Sequence, residues 1–226
     1  MQFGAKETID KRAIMKLTIL GASGHGKVVA DIAKLNGYSE IEFLDDDESL
    51  TVCGAYPVVG KCEQAEKVRN DIFVAIGNAT YRKMFLEKFA ERHIPVLIHP
   101  DAVVADDVAI GEGSVVMAGA VINPGTRVGR GCIVNTSSSI DHDCVIGDYV
   151  HIAVGAHLCG TVSVGDMSWI GAGATVINNV NISSGCTIGA GAVVIKDIDE
   201  KGTYIGVPAK RMNRAGILGG GISPSV

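Results

Sequence analysis

The sequence predicts two units in one chain: a small Rossmann-like α/β domain over residues 16–99, then a parallel β-helix over residues 100–200. Three observations predict it. An aliphatic residue recurs at every sixth position from Val104 to Val194 without interruption. Ahead of that run, apolar strand patterns alternate with helical ones, the order that builds a parallel sheet. The composition is 47% hydrophobic but only 5% aromatic, with 29 glycines, which suits thin aliphatic layers joined by many turns.

Residues 1–15 read as an extension; "MQFGAKETIDKRAI" lacks the apolar run of a secretory signal, and Met15 is an alternative start. "KLTIL" is a strand, "GASGHG" a tight turn, and "KVVADIAKLNGY" a helix with Val28, Val29, Ile32 and Leu35 at helical spacing. "IEFLDDD" is a second strand that ends in acids. "DIFVAIGN" is a third, followed by the helix "ATYRKMFLEKFAERH" and the short strand "IPVLIHP".

The glycine turn fits GxxxxGK, but Val28 stands where a P-loop needs a magnesium-binding hydroxyl, which argues against nucleotide triphosphate hydrolysis. The order GxxGxG is also a poor dinucleotide fingerprint. What remains is physical. A strand, a glycine turn and a helix N-terminus offer free backbone N–H groups to an anion such as a diphosphate. Asp45 and Asp46, at the end of the second strand, would then accept from a ribose or a base. The alternative is a plain strand-to-helix turn beside a solvated acidic loop.

From Val104 the chain divides into sixteen hexads that end at Asp199, each beginning with Val, Ile or Leu. This period marks a parallel β-helix in which three hexads make one triangular coil. The first positions point inward, and small residues at the fifth positions fill the corners. Cys132, Cys144 and Cys186 occupy fifth positions and read as small buried fillers. About five coils at the ~4.8 Å strand spacing give a prism roughly 25 Å tall. None of the six cysteines forms a CxxC pair, so reduced thiols and a cytoplasmic setting are expected. A net charge of −5 argues against nucleic acid as a partner, and no run of 18 apolar residues is present to span a membrane.

"SSSIDHDCVIGDYVHIAVGAHLCG" holds His142 between Asp141 and Asp143, with His151 and His157 following. On residues alone this is a general base with an orienting carboxylate, part of a metal site, or polar decoration. The stretches "GASGHG", "FLDD", "VAIGN", "VNTSSSIDHDCVIGDYVH", "GAHLCG" and "GVPAKRM" resemble the bacterial hexapeptide-repeat sugar-nucleotide acetyltransferases over residues 16–212. Within that family the likeness runs to the UDP-4-amino-sugar N-acetyltransferases of bacillosamine biosynthesis, with perosamine N-acetyltransferases and sialic acid O-acetyltransferases as relatives.

The resemblance implies a left-handed β-helix, a homotrimer, and acetyl-CoA in the groove between adjacent β-helices, with a nucleotide-linked amino sugar reaching in from the N-terminal domain. Carried over by position, His142 is the general base and Asp143 its acidic partner, where relatives often carry Glu. His151, Gly160, Ala172 and Ala190 fall on the acetyl-CoA side. Ser23, Gly24, His25, Asp45, Asp46 and Gly77 fall in the nucleotide pocket, and Asn135 near the acceptor sugar.

A sugar amine must shed a proton as it attacks the thioester, and an imidazole is suited to take it. No covalent acetyl-enzyme is required, which leaves Cys159 without a nucleophilic role. A zinc hydratase on the same fold is the rival enzyme. Its paired histidines are five residues apart, whereas the spacings here are nine and six. A non-catalytic sugar-nucleotide sensor is the rival outside catalysis; the intact Asp-His-Asp run argues against it. His142 and His151 lie nine residues apart, half of an eighteen-residue coil, so they project on different sides and a complete site needs two chains. His157 and His93 read as surface residues and His99 as a domain junction. Residues 201–226 form a C-terminal segment with a Gly-rich tail from Ala215.

Overall fold

The structure is a computed structural model that describes residues 15–212; the expected N-terminal extension up to residue 14 and the Gly-rich tail lie outside the described residues. In the first unit, β1 (Lys16–Leu20), β2 (Glu40–Leu44), β3 (Val52–Cys53), β4 (Tyr56–Gly60) and β5 (Asp71–Val74) form a sheet in the order β3-β4-β2-β1-β5. Pairing is parallel except between β3 and β4. Two helices, α1 (Gly24–Leu35) and α2 (Ala79–Lys88), and a 3-10 turn (Cys62–Lys67) pack on it.

The rotation of α1 differs from the expected one. Val29, Ala30, Ile32 and Ala33 are buried, whereas Val28 and Leu35 face solvent. The cause is Gly26. A Cβ there would lie 2.3 Å from the Gly21 carbonyl and 3.0 Å from the Phe43 ring, so the helix turns this bare position onto the sheet. Val28 and Leu35, seven residues apart and on one line, are carried outward with that turn. The strands β3 and β4 were not expected. They form a short hairpin on the sheet edge with little apolar patterning.

The second unit is built from two-residue rungs. The first face stacks Leu97–Ile98, Val115–Val116, Ile133–Val134, His151–Ile152, Trp169–Ile170 and Thr187–Ile188 in order. The second face runs from Val103–Val104 to Val193–Val194, and the third from Ala109–Ile110 to Asn181–Ile182. Every pairing along the three faces is parallel and offset by eighteen residues, as in Ile133↔His151 and Ile152↔Ile170. The inward aliphatics from Val116 to Val194 are 4% exposed or less, each contributing about 1.5–3 kcal/mol of burial. Each corner turns on a left-handed residue every six positions. Glycine fills most of these, and Ser137, Asp143, Tyr149, Thr161, Met167 and Asn179 fill the rest with φ of 54–61°.

The end of the prism is closed by Thr203–Ile205, paired antiparallel with Lys210–Arg211. The other end of the first face lies under the α/β sheet. Leu97, Val115 and Ile133 are buried in one apolar cluster with Leu17, Val29 and Phe73. Going up that face, this cover ends at His151, and Trp169 stands half exposed above it.

Candidate active site

The corner between the second and third faces carries His142. Its Nδ1 lies 2.8 Å from Asp143 Oδ2, so Nδ1–H donates to the carboxylate and Nε2 is left free. Asp143 takes the left-handed conformation at φ 58°, which turns its carboxylate back toward the ring. Asp141 does a different task. Its Oδ1 accepts from the His142 N–H at 2.8 Å and from Asn123 Nδ2 at 2.8 Å, which fixes the corner backbone rather than the ring. The hydrogen bond to Asp143, and then the nearby charge of Asp141, raise the His142 pKa above the ordinary imidazole value, against a small opposing effect of burial.

Gly160, one coil further on, lies against the same ring: a Cβ there would stand 2.5 Å from His142 Nε2 and 2.6 Å from Cε1. The residue expected on the cofactor side is thus also the floor that sets where the His142 ring sits. Cys159 precedes it, and its carbonyl accepts from the Cys144 thiol at 3.3 Å. All six cysteines are free thiols, and Cys53, Cys62, Cys132, Cys144 and Cys186 are buried.

His151 sits on the first face, opposite that corner. Asn135 Oδ1 accepts from the Thr136 N–H at 2.8 Å, so its amide nitrogen faces His151 Nε2 at 3.1 Å and donates to it. Nε2 is therefore the acceptor and the ring proton resides on Nδ1. The ring stacks on Trp169 at 5.7 Å between centroids. Burial, then the charges of Arg82 and His25, push its pKa down to about 3. Burial and Arg82 likewise hold His25 at about 4, and its Nε2 is buried with no hydrogen-bond partner among the described residues. The protein thus holds opposite kinds of imidazole, a basic one at the corner and neutral ones at the seam between the domains.

Ser23, Gly24 and His25 open α1, and no side chain caps that helix start. Gly24 and Gly77 border open space. Asp45 and Asp46 are more occupied than a free sugar-binding pair. Asp45 accepts from Ala22 N–H at 2.6 Å and from Asp47 N–H at 2.9 Å, and Asp46 from Cys62 N–H at 3.0 Å. Asp45 thus braces the glycine turn and Asp46 the start of the 3-10 turn. Ala172 and Ala190 lie one coil apart at the corner between the first and second faces, next to Gly173 and Gly191, whose outer sides are open. Sequence reasoning missed Arg82, which is 1% exposed and lies between the two units; a single arginine in a polar helix carries no signal of burial.

No helix among the described residues is long and apolar enough to cross a membrane. The PglD N-terminal domain family matches residues 16–89. UDP-N-acetylbacillosamine N-acetyltransferase of Bacillus subtilis (strain 168) is 35% identical over 110 residues, and the matched stretch spans about half of that relative's length (51%) and 45% of this chain. Among solved structures, the acetyltransferase domain of PglB from Neisseria gonorrhoeae FA1090 in complex with acetyl coenzyme A is 44% identical. That match covers 88% of this chain and all of the other (100%), with a TM-score of 0.85. PerB from Caulobacter crescentus in complex with CoA and GDP-perosamine is 36% identical over 89% of this chain and 99% of its own, with a TM-score of 0.83. With the same path through both units and this much identity over the whole of two solved relatives, the chain belongs to the acetyl-CoA-dependent sugar-nucleotide acetyltransferases.

Proposed function

We propose that this protein transfers the acetyl group of acetyl-CoA to the 4-amino group of a UDP-linked 4-amino-4,6-dideoxy-N-acetylhexosamine of the bacillosamine type. The observation that carries the reading is the His142–Asp143 pair, an exposed imidazole whose Nδ1 is held at 2.8 Å by a carboxylate and whose Nε2 is free. The relative from B. subtilis, named for N-acetylbacillosamine, supports the acceptor class.

The reaction follows from this pair. The amine nitrogen attacks the thioester carbonyl, a C–N bond forms, and His142 Nε2 takes the proton that the nitrogen must lose. The C–S bond then breaks and CoA leaves as its thiol, protonated from the imidazolium. Asp143 stabilises that imidazolium and keeps the tautomer with Nε2 unprotonated beforehand. No thiol need become acylated.

His151, neutral and protonated on Nδ1, serves as a hydrogen-bond donor to acetyl-CoA rather than as a second base. The main chain at Ala172 and Ala190 lines the cofactor, and the open sides of Gly173 and Gly191 leave room for it. Ser23, Gly24, His25 and Gly77 hold the nucleotide, and Asn135 sits between His151 and the acceptor. His142 and His151 face opposite sides of one prism, so neighbouring chains complete each site, in the homotrimer that the family resemblance implies.

The test is thiol release from acetyl-CoA across UDP-4-amino sugars, GDP-perosamine and sialic acid, with wild type and His142→Ala. Turnover with a UDP-4-amino sugar that falls roughly 10²–10⁴-fold in His142→Ala is expected. Turnover only with GDP-perosamine or a hydroxyl acceptor refutes the assigned acceptor, and undiminished turnover in His142→Ala refutes the base.

A further inference from the structure

Arg82 projects from α2 into the seam between the two units. Its Nη1 donates to the carbonyls of Ile76 and Gly77, both at 2.8 Å. On the other side Nε donates to the Gly131 carbonyl at 2.6 Å, and Nη2 to the Tyr149 carbonyl at 2.8 Å. Two bonds thus go to the loop after β5 and two to the β-helix. Gly131 and Tyr149 are eighteen residues apart, so they sit on one corner in adjacent coils, and Tyr149 is two residues from His151. Among the described residues no carboxylate pairs with this guanidinium, and it is 1% exposed.

A lone buried charge is an unfavourable way to join two apolar surfaces, because a well-packed hydrophobic side chain fills such a place with no desolvation penalty. What an arginine adds is a planar fork that fixes several acceptors at set angles. We propose that Arg82 is a positioning residue for acetyl transfer. It locks the loop bearing Gly77 to the coil bearing His151, so that a sugar held by one unit meets the thioester held by the other at a fixed distance. This rests on the acetyl-transfer reading above. The charge has a second effect that supports the assignment. It lies close enough to His25 and His151 to act against protonation of both, although burial is the larger cause.

The test compares wild type with Arg82→Lys, which keeps the charge but not the fork, and Arg82→Met, which keeps the volume alone. Three quantities are read: the melting temperature, the kinetics of thiol release with acetyl-CoA and a UDP-4-amino sugar, and the titration of His25 and His151 by NMR. Both folded variants should bind acetyl-CoA nearly as wild type does, yet lose roughly 10²-fold in kcat, the scale expected when reacting groups are misplaced by about 1 Å. In Arg82→Met both histidine titrations should also move upward. A loss of activity no larger than the unfolded fraction, or histidine titrations that do not move in Arg82→Met, overturns the proposal. Should neither variant fold, wild type alone still decides. An Arg82 Nε–H whose exchange with solvent is strongly slowed by its hydrogen bond to the Gly131 carbonyl supports the lock, and exchange at the rate of a free guanidinium overturns it. If wild type shows no turnover, the acetyl-transfer reading fails by itself, while the histidine titrations still report on Arg82.

Discussion

Replacing Gly160 with alanine tests how finely His142, the proposed base, is placed. Gly160 is not one of the left-handed glycines, so alanine suits its backbone. The added Cβ would stand 2.5 Å from His142 Nε2, and nothing but this ring lies as close. A comfortable contact needs about 3.5 Å, so the ring must retreat by about 1 Å. The ring is at the exposed end of a side chain and can move without disturbing the core, so stability should change little. Its function should not survive as well. A retreat of that size also pulls Nδ1 away from Asp143, and a 1 Å misplacement of a reacting group costs about 10²-fold in rate, or about 2.7 kcal/mol. The assay is steady-state thiol release beside a thermal melt on the same sample. Unchanged kcat in Gly160→Ala would refute the claim that this floor positions the base. Loss of activity together with a collapse of the melting temperature would refute the claim that the ring alone yields.

Three other outcomes are expected. Asp143→Asn keeps the left-handed backbone, which asparagine tolerates, but removes the hydrogen-bonded charge that raises the His142 pKa; the acid limb of the pH–rate profile should move to lower pH and kcat should fall, and a limb that stays in place refutes the pairing. Inactive His142→Ala and His151→Ala chains, unfolded and reassembled together, should recover about a quarter of the wild-type sites if neighbours complete each other's site; no recovery in verified mixed trimers refutes the shared site. His25 and His151 have folded pKa values of about 4 and about 3, below the unfolded value, so the unfolded chain binds more protons as pH falls from about 6.5 toward 4. Stability should therefore be full above that window and drop within it by up to about 1.4 kcal/mol per pH unit per histidine. Urea midpoints at several pH values, compared with His25→Asn and His151→Asn, measure this; variants with the wild-type slope refute it.

Much of this was legible in the sequence where a period carried it. The hexads predicted the inward rows from Val104 and the cysteine fillers at 132, 144 and 186, because one buried position repeats at fixed spacing and leaves no freedom of register. The fourth hexad position held a further signal. Consecutive corners replace glycine with Ser137, Asp143 and Tyr149, and a left-handed non-glycine residue marks a place where backbone strain is retained for a side chain. The α/β unit was legible only in outline. Its edge hairpin, β3 and β4, is short and carries apolar residues on both sides, with Val52 and Val59 exposed and Cys53 and Val58 turned inward, so no period marks it, and the rotation of α1 was decided by a glycine contact with no apolar signature. The hydrogen bonds that Asp45 accepts from Ala22 and Asp47 were not legible, because these main-chain partners do not come together until the turn is folded. Arg82 was invisible for the same reason, since all four of its acceptors are main-chain carbonyls, which every sequence has.

The eighteen-residue register of the prism has a consequence for how such a protein changes its reach. Within an unbroken stack, the height of His142 above the α/β unit is a count of rungs, not a continuous length. A single-residue insertion throws every later aliphatic off the inward row, whereas a whole added coil leaves the packing rule intact and lifts all that follows by one strand spacing, about 4.8 Å. On the proposed reading, the span between the α/β unit that would hold the nucleotide and the corner that carries His142 is graduated like the marks on a ruler, and an acceptor longer by one sugar ring would be met by adding a mark rather than by redesigning the corner.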